Sequence, residues 1–157
     1  MSDLISVFNQ NKHSVATKTS RIGRFGEKAA QRFLRKKGYQ PVMSNFRVPI
    51  GRNRRGVAVT GEIDLIALDG KTLCFIEVKT RSSADFAEPQ SAVDLRKQRQ
   101  ITRTARVFRK IFGVGDLDFR FDVVGVVLNG KKAPRIEHFP AFWSERKFRK
   151  KFWADAL

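Results

Sequence analysis

Four charged side chains stand near one end of two apolar segments that follow each other closely in the sequence. The first segment carries Glu62 and Asp64, and the second carries Glu77 and Lys79. Carboxylate oxygens are preferred ligands of Mg²⁺ and Mn²⁺, and lysine is a common partner of phosphate. If the fold brings these residues together, their chemistry suits metal-assisted hydrolysis of a phosphodiester.

The dipeptide Asp69-Gly70 predicts a tight hairpin between the two segments, because it is typical of a type I′ turn. A turn at these two residues places Asp64 opposite Phe75 and Glu62 opposite Glu77. Since side chains alternate between faces along a strand, the charged residues then share one face at the end far from the turn. Asp64 and Glu77 become diagonal neighbours with Cα atoms roughly 7–8 Å apart, so both carboxylates can reach one divalent cation.

Two interpretations of this cluster are open from the residues alone. In one, a metal cation neutralises carboxylates that would otherwise repel one another. In the other, the strand ends are solvated and Lys79 pairs with Glu77. A resemblance favours the first interpretation. Ile63-Asp64, followed after residues 65–76 by Glu77-Val78-Lys79, resembles the D…(D/E)-x-K signature of the PD-(D/E)XK nuclease superfamily.

A wider resemblance, to the small bacterial proteins of the YraN type, covers residues 21–139. It rests on segments that occur here in the order seen in that family, at residues 23–30, 38–39, 61–67, 75–81 and 121–124. YraN-type proteins resemble archaeal Holliday-junction resolvases. The resemblance implies an α/β fold with a restriction-endonuclease-like core. The order of the predicted elements independently favours a mixed central β-sheet flanked by helices.

The resemblance also implies roles for the charged residues. Asp64 and Glu77 would hold Mg²⁺ or Mn²⁺, with the carbonyl of Val78 as a third ligand. Lys79 would position or activate the attacking water or contact the phosphate, and an ammonium beside carboxylates favours the positioning role. Glu27 would be a further catalytic and metal-binding acid from the first helix. Its alternative role is to stabilise the N-terminal end of that helix.

Other titratable residues carry weaker signals. Glu62 faces Glu77 in the predicted register or lies only at the strand entrance. Asp122 is expected to pair with an arginine or cap a loop, and Cys74 to lie in the core. Neither histidine, His13 or His138, shows a ligand spacing with the other or with an acid, so the sequence gives little support for histidine chemistry.

The formal net charge of +17, from 32 Lys and Arg against 15 Asp and Glu, predicts a polyanionic partner: nucleic acid or an anionic membrane surface. Seven of the fifteen residues from Arg96 to Lys110 are basic and none is acidic, which favours an anionic partner over a solvated face. Phosphate contacts carry no base information, so sequence-independent binding of double-stranded or branched DNA is expected. The predicted nucleic-acid-binding residues are Arg52, Arg54, Arg55, Arg81, Arg99, Arg103, Arg106 and Lys110.

The predicted elements surround these residues. Residues 20–37 form a helix that ends before Gly38, and residues 92–112 form a second helix. Strands are predicted at 39–48, 61–68, 72–79, 119–128 and 135–139, and residues 49–60 are predicted to form a long exposed loop. The buried stripe of the first helix would contain Phe25, Ala29, Ala30, Phe33 and Leu34. Three regions follow: a flexible extension (1–19), the endonuclease-like domain (20–139) and a basic aromatic tail (140–157).

These features predict a nucleic-acid-binding protein that acts as a metal-dependent nuclease on DNA. One alternative is a catalytically silent binding module in recombination, repair or RNA metabolism. Another is a basic protein whose aromatic tail binds an anionic membrane or a protein partner. The chain has no apolar run long enough for an integral membrane segment and no secretory signal pattern, so a cytoplasmic location is expected. A homodimer is an open possibility, because resolving a symmetric junction requires two active sites.

Overall fold

A computed structural model describes residues 18–82 and 93–149 of this chain. Within these ranges it contains two α-helices, five β-strands and one 3₁₀ helix. In chain order they are α1 (Lys18–Lys36), β1 (Gln40–Arg52), β2 (Ala58–Asp69), β3 (Thr72–Ser82), α2 (Leu95–Phe112), β4 (Phe119–Asn129), β5 (Lys132–Trp143) and the 3₁₀ helix (Glu145–Phe148).

The five strands form one mixed sheet in the order β1-β2-β3-β4-β5. Strands β3 and β4 are parallel, and the other neighbouring pairs are antiparallel. A parallel pair needs a crossover connection, and α2 lies within that connection. The predicted α/β fold, with helices flanking a mixed central sheet, is therefore confirmed, and it is consistent with a restriction-endonuclease-like core.

The helices bury the two faces of the sheet separately. On one face, Ala30 and Leu34 of α1 belong to a core cluster with Cys74 and Ile76 of β3. On the other face, residues of α2 belong to a cluster rich in aromatic side chains. Cys74 is fully buried, as predicted. The predicted stripe of α1 is wrong at Phe25, which is 54% exposed.

Helix α1 ends as the sequence predicts, whereas α2 begins at Leu95, three residues after the predicted start. Gly38 has a φ of 91°, and the following Tyr39 N–H donates to the Leu34 carbonyl at the end of α1. This pattern stops a helix with a left-handed residue that glycine adopts without strain. In α2, the carboxylate of Asp94 accepts a hydrogen bond from the Lys97 N–H (2.8 Å) and caps the first turn.

The predicted register of the β2–β3 hairpin is wrong by one position on each strand. The structure pairs Asp69 with Thr72, so Gly70 and Lys71 form the turn. Gly70 has a φ of 59° and Lys71 is not among the positive-φ residues. Glycine at the first central position is typical of a type II′ turn, which needs only one positive φ. The pairing of Asp64 with Phe75 is thereby replaced by Ile66 with Phe75.

Residues 49–60 do not form the long loop that the sequence predicts. Strand β1 continues to Arg52, which pairs with Ala58 at the start of β2. The side chain of Asn53 accepts hydrogen bonds from the N–H groups of Arg55 (2.9 Å) and Val57 (3.0 Å) and closes the tip. The arginines therefore lie on a two-stranded extension of the sheet, residues 47–62, which we term the basic ribbon.

Strand β5 extends further than predicted. It continues to Trp143, whose ring stacks on Phe121 (centroids 4.9 Å apart) and whose indole N–H donates to Thr102 (2.9 Å). The predicted domain boundary after residue 139 therefore falls within a strand. The predicted extension up to residue 17, residues 83–92 and the predicted tail from residue 150 lie outside the described residues. Within the described ranges, neither helix is long and apolar enough to cross a membrane.

Candidate functional site

The sheet opens between β2 and β3 at the position of Asp64. The ladder between these strands ends with Leu65 opposite Ile76. Beyond it, the Asp64 carboxylate accepts a hydrogen bond from the Val78 N–H (2.8 Å). The N–H and C=O of one residue in an extended strand point to the same side. The Val78 carbonyl is therefore directed toward the same gap as the Asp64 side chain.

Glu77 is almost completely buried, with 4% of its side chain exposed. Its Oε1 lies 3.3 Å from Lys79 Nζ and 3.8 Å from Lys97 Nζ. Among the residues that the structure describes, its buried Oε2 has no hydrogen-bond partner. The Lys79–Glu77 pair of the second interpretation is thus present, but the strand end is not solvated. One oxygen of this buried carboxylate is left for a proton, which Glu77 can share with the Asp64 side chain, or for a cation.

The electrostatics of the site favour a cation beside its carboxylates. Burial, followed by the charge of Asp64, raises the pKa of Glu77 to about 8, although Lys97 and Lys79 act in the opposite direction. Burial also raises the pKa of Asp64, against the effect of the Val78 N–H. A divalent cation would favour the ionised form of both groups and relieve their repulsion.

Glu27 reaches the neighbourhood of this pair because α1 packs closely on β3. A Cβ added at Gly26 would lie 1.8 Å from Thr80 Oγ1, so only glycine permits this approach. Burial and the charge of Asp64 raise the pKa of Glu27, while the Asn45 side chain opposes that shift. Since α1 begins at Lys18, Glu27 lies beyond its first turn, and the alternative role as a helix-dipole partner is wrong.

The residues fit a hydrated metal ion better than a fully protein-bound one. Within residues 18–82 and 93–149, no three His, Cys, Asp or Glu side chains come together as a metal cluster, so Glu27 does not complete one with Asp64 and Glu77. Mg²⁺, however, commonly keeps several waters and takes only one or two carboxylates. Asp64, Glu77 and the Val78 carbonyl match that pattern, and the partnerless Glu77 oxygen is directly suited to it.

Lys97 is a site residue that the sequence analysis missed. It lies in the first turn of α2, remote in sequence from Glu77, and its ammonium approaches Glu77 Oε1. The sequence signal that could have found Lys97 is its position at the start of the second helix. In a strand–helix–strand crossover the helix often begins near the end of the strand that it follows, so the first turn of α2 lies close to the end of β3 that carries Glu77. Glu62 instead pairs with Arg47 across β1 and β2 (3.1 Å) and contributes to the basic ribbon.

Part of the predicted basic stripe on α2 has partners inside the protein. Arg103 donates to the Ile50 carbonyl and so anchors β1 of the basic ribbon. Arg106 donates to Glu145 through two nitrogens (3.1 and 3.2 Å). The guanidinium of Arg99 lies over the Phe148 ring, 5.7 Å from its centroid. Arg103 and Arg106 remain exposed despite these contacts, so their predicted role in binding phosphates stays a prediction.

The remaining predicted basic residues lie in two places. Arg52, Arg54 and Arg55 are exposed at the end of the basic ribbon, where Arg52 also donates to the Gly56 carbonyl (2.7 Å). Lys110 is exposed on α2, and Arg81 lies in β3 two residues beyond Lys79. The structure therefore groups three arginines on one projecting arm and places Arg81 beside the candidate site.

A second buried carboxylate, Asp122, is fully satisfied. It accepts hydrogen bonds from Arg120 (2.9 and 3.2 Å) and the Ala141 N–H (2.9 Å), and it lies 3.0 Å from His138 Nε2. Burial alone would raise the pKa of Asp122, but these partners hold it below its usual value. The predicted structural pairing with an arginine is confirmed. The spacing of His138 in the sequence gave no sign of this contact, which forms because β4 and β5 pair and bring His138 to Asp122.

Comparison with known proteins assigns the chain to a sequence group. A family model described as "Uncharacterised protein family UPF0102" matches residues 26–126, which include Glu27, Asp64, Glu77, Lys79 and Lys97. A UPF0102 protein of Prosthecochloris aestuarii is 42% identical over 130 residues, covering 79% of this chain and 94% of the relative. Similar relatives occur in Solibacter usitatus (44% over 115 residues, 73% and 80% covered) and Geobacter sulfurreducens (42% over 117 residues, 74% and 84% covered).

Proposed function

This chain belongs to the UPF0102 family, and we propose that it is a nucleic-acid-binding protein of the PD-(D/E)XK superfamily that hydrolyses DNA with Mg²⁺ or Mn²⁺. One observation carries the proposal. At the point where β2 and β3 part, the buried Glu77 keeps one oxygen without a partner among the described residues, next to Asp64. A buried, incompletely satisfied carboxylate is costly to stability and is therefore typical of functional positions.

The residues of the site have separate tasks in this proposal. Asp64, fixed by the Val78 N–H, and Glu77 would hold the cation together with the Val78 carbonyl. When bound, Mg²⁺ or Mn²⁺ would lower the pKa of a water ligand and stabilise negative charge on the phosphate. The Lys79 ammonium, 3.3 Å from Glu77, would position that water or contact the phosphate. Lys97, in the first turn of α2, would hold the Glu77 carboxylate in place.

The DNA would be bound through its phosphates. The net charge of +17 supplies long-range attraction, and the exposed arginines of the basic ribbon supply a projecting contact. A two-stranded ribbon has dimensions that a DNA groove admits. Binding should be independent of base sequence and selective for structure, on duplex or branched DNA, in the cytoplasm. Affinity should fall by roughly 0.9 log unit per log unit of salt for each phosphate neutralised.

A catalytically silent nucleic-acid-binding module is the second candidate. It is favoured by the two lysines on Glu77, which already supply internal positive charge, and by the lack of a three-acid cluster among the described residues. In that case Asp64 and Glu77 would have only a structural role at the point where β2 and β3 part. In the nuclease, a homodimer would supply the two active sites that resolving a symmetric junction requires.

The deciding experiment is cleavage of labelled linear, flapped and four-way DNA with Mg²⁺ or Mn²⁺. Wild type is compared with Glu77→Ala and with Glu137→Ala, a control that removes a carboxylate paired with Arg135 on β5. We expect cleavage by wild type and by the control, and loss of cleavage in Glu77→Ala with DNA binding in EDTA retained.

One further result would overturn the nuclease, and another would overturn the assignment of its metal site. Tight binding by wild type without metal-dependent cleavage would leave the binding module as the function. Cleavage that persists in Glu77→Ala would show that the metal site lies elsewhere. The Glu137→Ala control distinguishes the expected loss of cleavage in Glu77→Ala from a general effect of removing negative charge.

A further inference from the structure

An aromatic side chain is exposed on α1 next to the candidate site. Phe25 is 54% exposed, and Ile22, one helical turn earlier on the same side, is 36% exposed. Helix α1 buries Ala30 and Leu34 against the sheet, and not Phe25. The exposed ring of Phe25 therefore adds nothing to the described core and is accessible to a binding partner.

The position of Phe25 is fixed by its neighbours in the sequence. Gly26 packs against Thr80, one residue after Lys79, and the charge of Asp64 helps to raise the pKa of Glu27. Phe25 precedes them on the same helical turn and projects to solvent instead of toward the sheet. A strand of nucleic acid with its scissile phosphate at the carboxylates would therefore pass this part of α1.

The charges around the ring indicate the chemistry of the partner. Arg21 and Lys28 lie four residues before and three residues after Phe25, on the same side of α1, and Arg24 is adjacent to it; all three side chains are exposed. An aromatic face bracketed by cations matches a nucleotide, whose base offers a π-face between two phosphates. It matches an apolar protein surface poorly, because three cations would be desolvated.

We propose that Phe25 is a base-stacking residue that binds an unpaired nucleobase beside the candidate cleavage site. The inference rests on the proposed function and narrows its substrate class. Nucleic acids with a single-stranded or distorted segment would bind better than continuous duplex, because in duplex the base faces are already stacked on each other. Arg21, Arg24 and Lys28 would contact the flanking phosphates without regard to sequence.

The test is a binding measurement in EDTA with fluorescein-labelled DNA. The full chain is titrated with a duplex that carries a bulged base and with the same duplex fully paired. Variants are Phe25→Ala, Phe25→Leu and Phe25→Trp, with Ile111→Ala as a control that removes an apolar side chain, 50% exposed, from the end of α2.

We expect Phe25→Ala and Phe25→Leu to weaken binding of the bulged duplex by about 5- to 100-fold, the range found when a base-stacking aromatic residue is removed. Binding of the paired duplex should change by less than about twofold, because its bases remain stacked within the helix. Phe25→Trp and Ile111→Ala should behave as wild type on both.

Five results would overturn the inference. Unchanged binding of the bulged duplex by Phe25→Ala, or full retention by Phe25→Leu, would exclude stacking while leaving nucleic-acid binding intact. Equal losses on both duplexes would make Phe25 a general contact. A dimer that becomes monomeric on Phe25→Ala, with DNA binding unchanged, would assign the surface to a second copy of the chain. Failure of wild type to bind any DNA would overturn the proposed function as well.

Discussion

Two carboxylates are buried in the same sheet, but their hydrogen-bond partners differ and their pKa values shift in opposite directions. Asp122 accepts hydrogen bonds from Arg120 and the Ala141 N–H and lies beside His138, and its pKa is lowered. Glu77 has two lysines on one oxygen, no partner among the described residues on the other, and a pKa raised to about 8. Burial is nearly equal, so the difference comes from the surrounding donors.

The comparison separates architecture from function. A buried carboxylate with every lone pair occupied ties elements together, and Asp122 joins β4 to β5 in this way. A carboxylate that the protein leaves incompletely satisfied lowers the stability of the fold, and such positions are retained where a ligand completes them. Glu77 is of this second kind, and burial raises the pKa of its neighbour Asp64 as well. Substitutions at the two sites should therefore have opposite effects on stability.

The largest expected effect is on the free energy of unfolding after Asp122→Asn. This change removes a charge from a buried network and should cost about 3–5 kcal/mol. The matched change Asp64→Asn should cost less than about 1 kcal/mol or stabilise the protein, because burial already disfavours the ionised form of Asp64. Urea denaturation at pH 7 without divalent metal measures both. Equal losses in the two variants would remove the distinction between the sites.

The next effect is a pH dependence of stability that belongs to Glu77. Because its folded-state pKa, about 8, lies above its ordinary value of 4.5, the folded protein keeps a proton that the unfolded chain releases. The stability linked to that proton is complete below the ordinary value and is lost as the pH rises toward 8. Glu77→Gln should abolish this loss and be more stable than wild type at pH 8 by about 2–4 kcal/mol.

Thermal or urea denaturation across pH 5 to 9, without divalent metal, measures this dependence. Asp122 supplies the control with the opposite sign. Since its pKa is lowered, its contribution is present above its ordinary value of 3.8 and is lost on acidification. A wild-type stability that does not change between pH 5 and 8 would contradict the assignment of Glu77.

The smallest effect distinguishes the two lysines on Glu77. Lys79→Met should lower the cleavage rate by about 10²-fold if its ammonium acts on the water or phosphate. Lys97→Met should act only through Glu77, by raising its pKa further and weakening metal binding at pH 7. A higher pH or more Mn²⁺ should therefore restore Lys97→Met but not Lys79→Met. Cleavage rates measured against metal concentration at pH 7 and 9 test this, and equal recovery would contradict it.

The sequence predicted the parts of this protein that depend on local rules. Both helices followed from their apolar periodicity, and the end of α1 followed from Gly38. The meeting of Asp64 with Glu77 survived a wrong register, because a turn displaced by one residue changes both strands together and preserves the alternation of side chains.

The remaining features depend on packing between distant segments. The approach of Lys97 to Glu77 and the contact of His138 with Asp122 require the relative placement of elements, which no local pattern specifies. The prediction that Phe25 belongs to the buried stripe of α1 is wrong for a different reason. Hydrophobicity favours burying phenylalanine, whereas the close packing of α1 on β3 selects Gly26 for the position that faces the sheet.

The hydrogen bond from the Val78 N–H to Asp64 makes the backbone a reporter on the site. In a regular ladder this amide would donate to a neutral carbonyl of the next strand, but here its acceptor is a titratable carboxylate. Its proton resonance should therefore shift when Asp64 gains a proton, when a cation occupies the gap, or when DNA enters. A single ¹⁵N-resolved peak could follow all three events in solution, with no label attached to the protein surface.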